Sequence, residues 1–244
     1  MAKFAVIIPA GGKGERFGGS EKKTFASLDG RPVFIRTLEL FINRDDVCAT
    51  ILVVPPEDIT QMKEKYGPNL GFMGVKLVEG GAYRCDSVAK GLEAVPEDAD
   101  YIAVHDAVRP CATEDMVNDV FAEAQKSGAA ILAAPLHGTI KRGSDAGIVE
   151  ETVSRTNLYE AQTPQVFRAE LLRRAYASLP EDRTQITDDA QLVELLGEAV
   201  AIVTCDASNL KITAKADLTL ANAIIKSRPV RKVPKMGAFE EAQW

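Results

Sequence analysis

Residues 10–18 read AGGKGERFG and carry Lys13 and Arg16, with Lys22 and Lys23 close behind. Glycines let backbone N–H groups approach an anion closely. Lysine and arginine side chains neutralise it. The combination suits phosphate chemistry, and a flexible surface loop with solvated lysines accounts for the same residues. Two phosphate templates fail here. The dinucleotide fingerprint GxGxxG lacks its third glycine, because Gly12-Lys13-Gly14 is followed by Glu15, Arg16 and Phe17. The ribose-binding acid expected after the second strand is also absent, since that strand ends Val53-Val54-Pro55-Pro56. The pattern GxxxxGK[ST] fails because Lys23-Thr24 is preceded by Lys22.

A second stretch, YIAVHDAVRPC (101–111), shifts the balance toward phosphate. Asp106 falls just past the end of an apolar strand, where open α/β sheets place ligand sites. A carboxylate there suits Mg²⁺, which takes one or two carboxylates plus phosphate oxygens. Arg109, three residues on, is placed to grip a second phosphate. Capping of the following turn is the alternative for Asp106, and the metal is the favoured reading. His105 reads as a satisfied core histidine.

These residues need elements to hold them. FAVIIPA (4–10), VCATILVV (47–54), VKLVEGG (75–81), YIAVHDA (101–107), AAILAAP (129–135) and VAIVTC (200–205) are apolar runs of strand length. Between and after them come helical patterns at 32–43, at 56–67 ending on Gly67, and at 84–95, 113–128, 168–179, 188–196 and 214–226. Thr113 is the expected N-cap and Gly128 the stop of the 113–128 helix. Strands alternating with helices predict a Rossmann-like, mostly parallel twisted sheet with helices on both faces. Residues 136–154 break the rhythm. Polar–apolar alternation around GSDAG predicts a hairpin, a protruding β-arm that is marginal alone and needs a partner surface. The expectation is one domain over 1–226 with that arm inserted, then a flexible tail over 227–244.

Composition bounds the setting. The 244 residues carry a net charge of −6. That argues against a nucleic-acid partner, which normally meets a basic patch. Cys48, Cys85, Cys111 and Cys205 form neither CxxC nor a metal spacing. No run approaches the ~20 apolar residues of a membrane span. A cytoplasmic protein with free cysteines is expected.

PAGGKGERFGG, GGAYRCDSVAKGL, VHDAVRP, TVSRTNLYEAQTPQVF, ITDDA and ASNLKIT occur in that order. Together they resemble the 2-C-methyl-D-erythritol 4-phosphate cytidylyltransferase family, over about residues 3 to 226. The resemblance implies a nucleotidyltransferase of non-mevalonate isoprenoid synthesis. It would transfer a cytidylyl group from CTP to methylerythritol phosphate and release pyrophosphate. Arg16, Lys23 and Lys211 match the family's catalytic cations. Pro9, Ala10, Gly11 and Gly12 would wrap the nucleotide. Gly81, Arg84 and Ser87 match its second nucleotide-binding segment. Asp106 would hold Mg²⁺, with Asn209 a second contact. Arg109, Thr139, Arg155, Thr163 and Thr187 would bind the substrate phosphate. The implied assembly is a homodimer in which the arm carries Thr139 and Arg155 to the neighbouring site.

The chain departs from the family pattern in places. Lys22 stands where the family often has proline before the loop lysine, which frees the loop. Ala82 stands where members usually carry Asp. Bland alternatives accompany several matches: a solvated strand-end lysine for Lys211, helix-start surface for Arg84 and Ser87, and an N-cap for Thr187. Three rival functions stand beside this one: a ribitol 5-phosphate cytidylyltransferase, a non-catalytic nucleotide-binding module, and a dehydrogenase. Arg16, Lys23, Asp106 and Lys211 together disfavour the second, and the failed fingerprint disfavours the third.

Overall fold

Alternation within the first apolar run sets the architecture. β1 (Phe4–Pro9) is buried throughout. Phe4, Val6 and Ile8 join one apolar cluster, and Ala5 and Ile7 join another. Strand side chains alternate between faces, so both faces of β1 must be covered. The computed structural model describes residues 1–11, 17–18 and 22–228, and within them both faces are covered.

In chain order β1 is followed by β2 (Ser27–Leu28), β3 (Arg31–Pro32), α1 (Val33–Leu38), β4 (Val47–Val54) and α2 (Ile59–Phe72). Then come β5 (Val75–Glu79), α3 (Arg84–Glu93), β6 (Tyr101–Val104), α4 (Glu114–Ser127) and β7 (Ala129–Pro135). The chain continues through β8 (Ile140–Gly143), β9 (Val149–Val153), β10 (Tyr159–Arg168), α5 (Ala169–Ala177), α6 (Asp189–Leu195), β11 (Ala201–Thr204) and α7 (Lys215–Ser227). The main sheet has the order β11-β7-β10-β6-β1-β4-β5. It is parallel except at β10, which runs antiparallel to β6 and β7. Residues of α1, α2 and α4 pack on one face, and those of α3, α5 and α6 on the other. Phe4 is stacked between Phe121 and Tyr101, at centroid distances of 4.0 and 5.2 Å.

The expected helix signals hold on α4. Thr113 Oγ1 accepts the Met116 N–H at 3.1 Å, and Gly128 ends the helix with φ of 89°. Two helix boundaries differ from expectation. α1 stops at Leu38, after which tighter three-residue turns (Leu40 N–H to Thr37 O, Phe41 N–H to Leu38 O) carry the chain on. α2 runs through Gly67 and Pro68 to Phe72. Tyr66 and Leu70, buried in the same cluster on either side, hold the helix across those breakers. Tertiary packing here outweighs intrinsic propensity.

The predicted arm is present. Among the described residues β8 and β9 pair only with each other, around the turn at Ser144–Ile148. Ile148 and Val149 are exposed at its tip. The arm leaves the body through a neck closed by the Leu136 N–H on Leu158 O, at 3.1 Å. The tail expected over 227–244 lies, from residue 229, outside the described residues.

Candidate active site

The C-terminal ends of β1, β4 and β5, with the loop after β6 and the segment after β11, border a cleft of about 990 Å³. This is where an open α/β sheet presents its ligand sites. Pro9, Ala10 and Gly11 enter it from β1, Pro55 and Pro56 from β4, and Gly80 and Gly81 from β5. Lys23 and Lys211 line it from their loops.

The turn after β5 is fastened to α3. Ser87 Oγ accepts the Gly81 N–H and donates to Tyr83 O, both at 3.1 Å. Lys90 Nζ donates to Gly80 O at 2.7 Å. A Cβ on Gly81 would stand 2.4 Å from that of Asp86, so the turn approaches the helix too closely for any other residue. Ser87 is buried and shapes this turn rather than belonging to a solvated helix start.

Asp106 follows β6 and is buried at the cleft floor. Three cations converge on it: Lys211 Nζ at 2.7 Å, Arg84 Nε at 3.2 Å and Arg109 Nε at 3.5 Å. Burial would push the carboxyl pKa up, but Arg84, Lys211 and Arg109 outweigh burial and hold it well below the usual carboxylate range. Arg84 also reaches Asp189 at 2.8 Å, and Asp189 accepts the Tyr176 hydroxyl at 2.5 Å. Desolvation disfavours the Arg84 charge, yet Asp189 and Asp106 more than restore it. Arg84 therefore bridges two buried carboxylates.

His105 is the core histidine expected of it. It is fully buried, and desolvation pushes its pKa down to about 4. Nε2 lies 3.1 Å from Arg109 O, which can only accept, so Nε2 carries the proton. Nδ1 then accepts from Thr163 Oγ1 at 3.1 Å. That same oxygen accepts the Asp106 N–H at 3.0 Å. Asn209 is fully buried, with Nδ2 on Thr163 O at 2.9 Å. Its Oδ1 has no hydrogen-bond partner among the described residues. Arg109 donates to Asn209 O at 2.8 Å.

Of the expected nucleotide-side residues, Pro9, Ala10, Gly11, Lys23, Gly81, Arg84, Ser87, Asp106 and Lys211 all line this cleft. Gly12 and Arg16 lie outside the described residues. Arg109 and Thr163 touch the cleft floor from behind, through Asp106. Thr139, Arg155 and Thr187 do not line the cleft. Thr139 and Arg155 are exposed at the base of the arm, where Arg155 donates to His137 O. Thr187 is held on Gln191 Oε1, and Asp188, not Thr187, caps α6 by accepting the Gln191 N–H. Lys22 is likewise no spare loop cation, because it pairs with Asp58 and Glu57. Asp189, Tyr176 and Lys90 were not anticipated. Only the ITDDA motif marked Asp189, and nothing in it signals that this acid turns inward.

The family model for 2-C-methyl-D-erythritol 4-phosphate cytidylyltransferase matches residues 4–227. The protein of that name from Rhodopirellula baltica is 42% identical over 236 residues, spanning 92% of this chain and 95% of its own. Its namesake from Geobacter metallireducens is 42% identical over 232 residues, spanning 93% of this chain and 99% of its own. Among solved structures, the Thermus thermophilus enzyme of that name superposes with a TM-score of 0.74 at 34% identity, covering 91% of this chain and 98% of its own. The Francisella tularensis enzyme superposes at 0.77 and 29% identity, covering 91% and 100%. The family model and these likenesses extend over nearly the whole described length, so this chain belongs to the 2-C-methyl-D-erythritol 4-phosphate cytidylyltransferase family.

Proposed function

We propose that this chain transfers the cytidylyl group of CTP to 2-C-methyl-D-erythritol 4-phosphate. The products are 4-diphosphocytidyl-2-C-methyl-D-erythritol and pyrophosphate, on the non-mevalonate route to isoprenoid precursors. The observation that carries this, beside family membership, is the charge of the cleft. Lys23, Arg84, Lys90 and Lys211 line it against Asp106 and Glu57, in a chain of net charge −6. Such a local cluster of cations favours anionic ligands despite the acidic whole.

In this reaction a substrate phosphate oxygen bonds to the α-phosphorus of CTP. The bond from that phosphorus to the bridging oxygen breaks, and pyrophosphate leaves with the electron pair. Phosphate is already nucleophilic at neutral pH, so in-line positioning and charge neutralisation suffice. His105, neutral and buried, has no part in proton transfer. Lys23, Lys211 and, from the sequence, Arg16 stabilise the charge that builds on the transferring phosphate. Asp106 holds Lys211 and Arg84 together before any nucleotide arrives, which is the preorganisation such stabilisation requires. Pro9 to Gly12 and the Gly81–Ser87 turn cradle CTP. Arg109, Thr163 and Thr187 serve the second substrate, with Thr139 and Arg155 arriving from a partner subunit on the arm. This is one nucleotidyltransferase domain over 1–226 assembled as a homodimer, and its free Cys48 suits a reducing cytoplasm. No described helix is long and apolar enough to cross a membrane.

The donor set fits Mg²⁺. Asp106 would supply one carboxylate, and Asn209 Oδ1, which has no hydrogen-bond partner among the described residues, a neutral oxygen. No cluster of three His, Cys, Asp or Glu ligands occurs among the described residues. An ion drawing its remaining ligands from phosphates and water matches the habit of Mg²⁺. When bound, it supplies charge neutralisation on the phosphate oxygens.

Pyrophosphate release from CTP, measured with methylerythritol phosphate and separately with ribitol 5-phosphate, tests the reading. Release with the former is expected. Release with ribitol phosphate alone overturns the assignment.

A further inference from the structure

We propose that Lys22 is a positioning residue, whose ion pair with Asp58 fixes the exit of the glycine-rich loop and so places Lys23 in the cleft. The inference rests on the functional reading only for what Lys23 does there. Lys22 Nζ lies 2.7 and 2.8 Å from the two Asp58 oxygens and 3.4 Å from Glu57 Oε1. The Asp58 side chain is only 8% exposed, against 37% for Lys22. A carboxylate so buried needs a partner, and the loop lysine provides it.

The anchor is stiff. Asp58 ends a short 3₁₀ turn behind Pro55 and Pro56, whose rings restrict φ, and its N–H donates to Pro55 O at 2.9 Å. Pro55, Pro56 and Glu57 themselves border the cleft. On the other side of Lys23 the chain is equally tied. The Phe25 N–H donates to Lys22 O at 2.9 Å, and Thr24 O accepts the Phe34 N–H at 3.3 Å. The Phe25 ring packs on Phe34 and Tyr66. Lys23 thus sits between two fastened points. A side-chain ion pair thus fixes the backbone at this point.

The rival role for Lys22 is direct contact with a nucleotide phosphate. Replacing Asp58 separates the two, because Asp58→Asn frees Lys22 to meet a phosphate but releases the anchor. Steady-state kinetics of Lys22→Ala, Asp58→Asn, their double variant and Lys22→Arg, each with its melting temperature, form the test. Each single variant should lower kcat by roughly 10- to 100-fold, as a small misplacement of a catalytic group does, with KM for CTP little changed. The double variant should be no worse than the singles, and Lys22→Arg should restore most activity. Hydrogen exchange in the ligand-free protein gives a readout independent of turnover: the Phe25 amide should exchange faster in both single variants. Wild-type kcat in Asp58→Asn, additive losses in the double variant, or unchanged Phe25 exchange would each overturn the anchor. An inactive wild type would instead sink the functional reading, and the exchange result would still decide the anchor.

Discussion

Asp106→Asn tests the electrostatic centre of the cleft most directly. The change keeps the shape and removes the charge on which three cations converge. The three do not suffer equally. Arg84 keeps Asp189 at 2.8 Å. Lys211, with its side chain 38% exposed, can turn to water. Arg109, only 6% exposed, keeps the Asn209 carbonyl and loses its carboxylate. The cost therefore concentrates on one stranded guanidinium. Breaking a buried pair on one side costs about 3–5 kcal/mol, and with one stranded cation the lower end, about 3, applies. For a chain of this size each kcal/mol shifts the melting temperature by about 2–4 °C. The ligand-free variant should melt about 6–12 °C below wild type. Pyrophosphate should recover more of that loss than it adds to wild type, since the freed cations accept it, by the usual mass-action linkage. Turnover should fall by at least about 100-fold. A melting temperature equal to wild type would refute the view that Asp106 neutralises these cations.

Two further outcomes follow from the same geometry. His105 has a folded pKa of about 4, below its unfolded value of about 6.5. The unfolded chain then binds more protons between those values, so stability is full above pH 6.5 and falls as the pH drops toward 4. Urea unfolding should show about 2 kcal/mol lost between pH 7 and 5, a slope that His105→Asn abolishes; a flat profile in the wild type would count against it. The arm yields a complementation experiment. Mixed heterodimers of Arg155→Ala and Lys23→Ala chains should exceed either homodimer in activity, because one of their two sites then has both residues intact. Heterodimers that form but stay inactive would rule out the cross-subunit role.

The parallel core was legible because its strands are short apolar runs between capped helices. Thr113 and Gly128 bracket α4 as their chemistry requires, and Asp106 falls just beyond its strand. β10 escaped notice for a physical reason. Its sequence YEAQTPQVFR carries Pro164 in mid-run, which removes a ladder donor, and its register on β7 shifts between Ala161 and Gln165. The small β2–β3 hairpin does carry a signature in the sequence. Asp29-Gly30 is a two-residue turn with φ of 51° and 80°, the conformation Asp-Gly favours. The partners of the site were hidden for another reason. That Asp189 faces Arg84, or Asp58 faces Lys22, depends on side chains 105 and 36 positions apart meeting in space. No spacing rule encodes such a meeting.

β10 also joins the arm to the cleft. Its first residues emerge from the neck of the arm, and Thr163, four residues on, holds the Asp106 amide, the His105 ring and the Asn209 side chain. A twofold assembly clasped through the arm would thus join the subunit seam to the floor of each nucleotide cleft through one strand and its bulge. Any tilt of the clasp that nucleotide favours must, by reciprocity, alter nucleotide affinity in turn. Oligomer geometry and CTP binding in such an assembly would share one free-energy account rather than two.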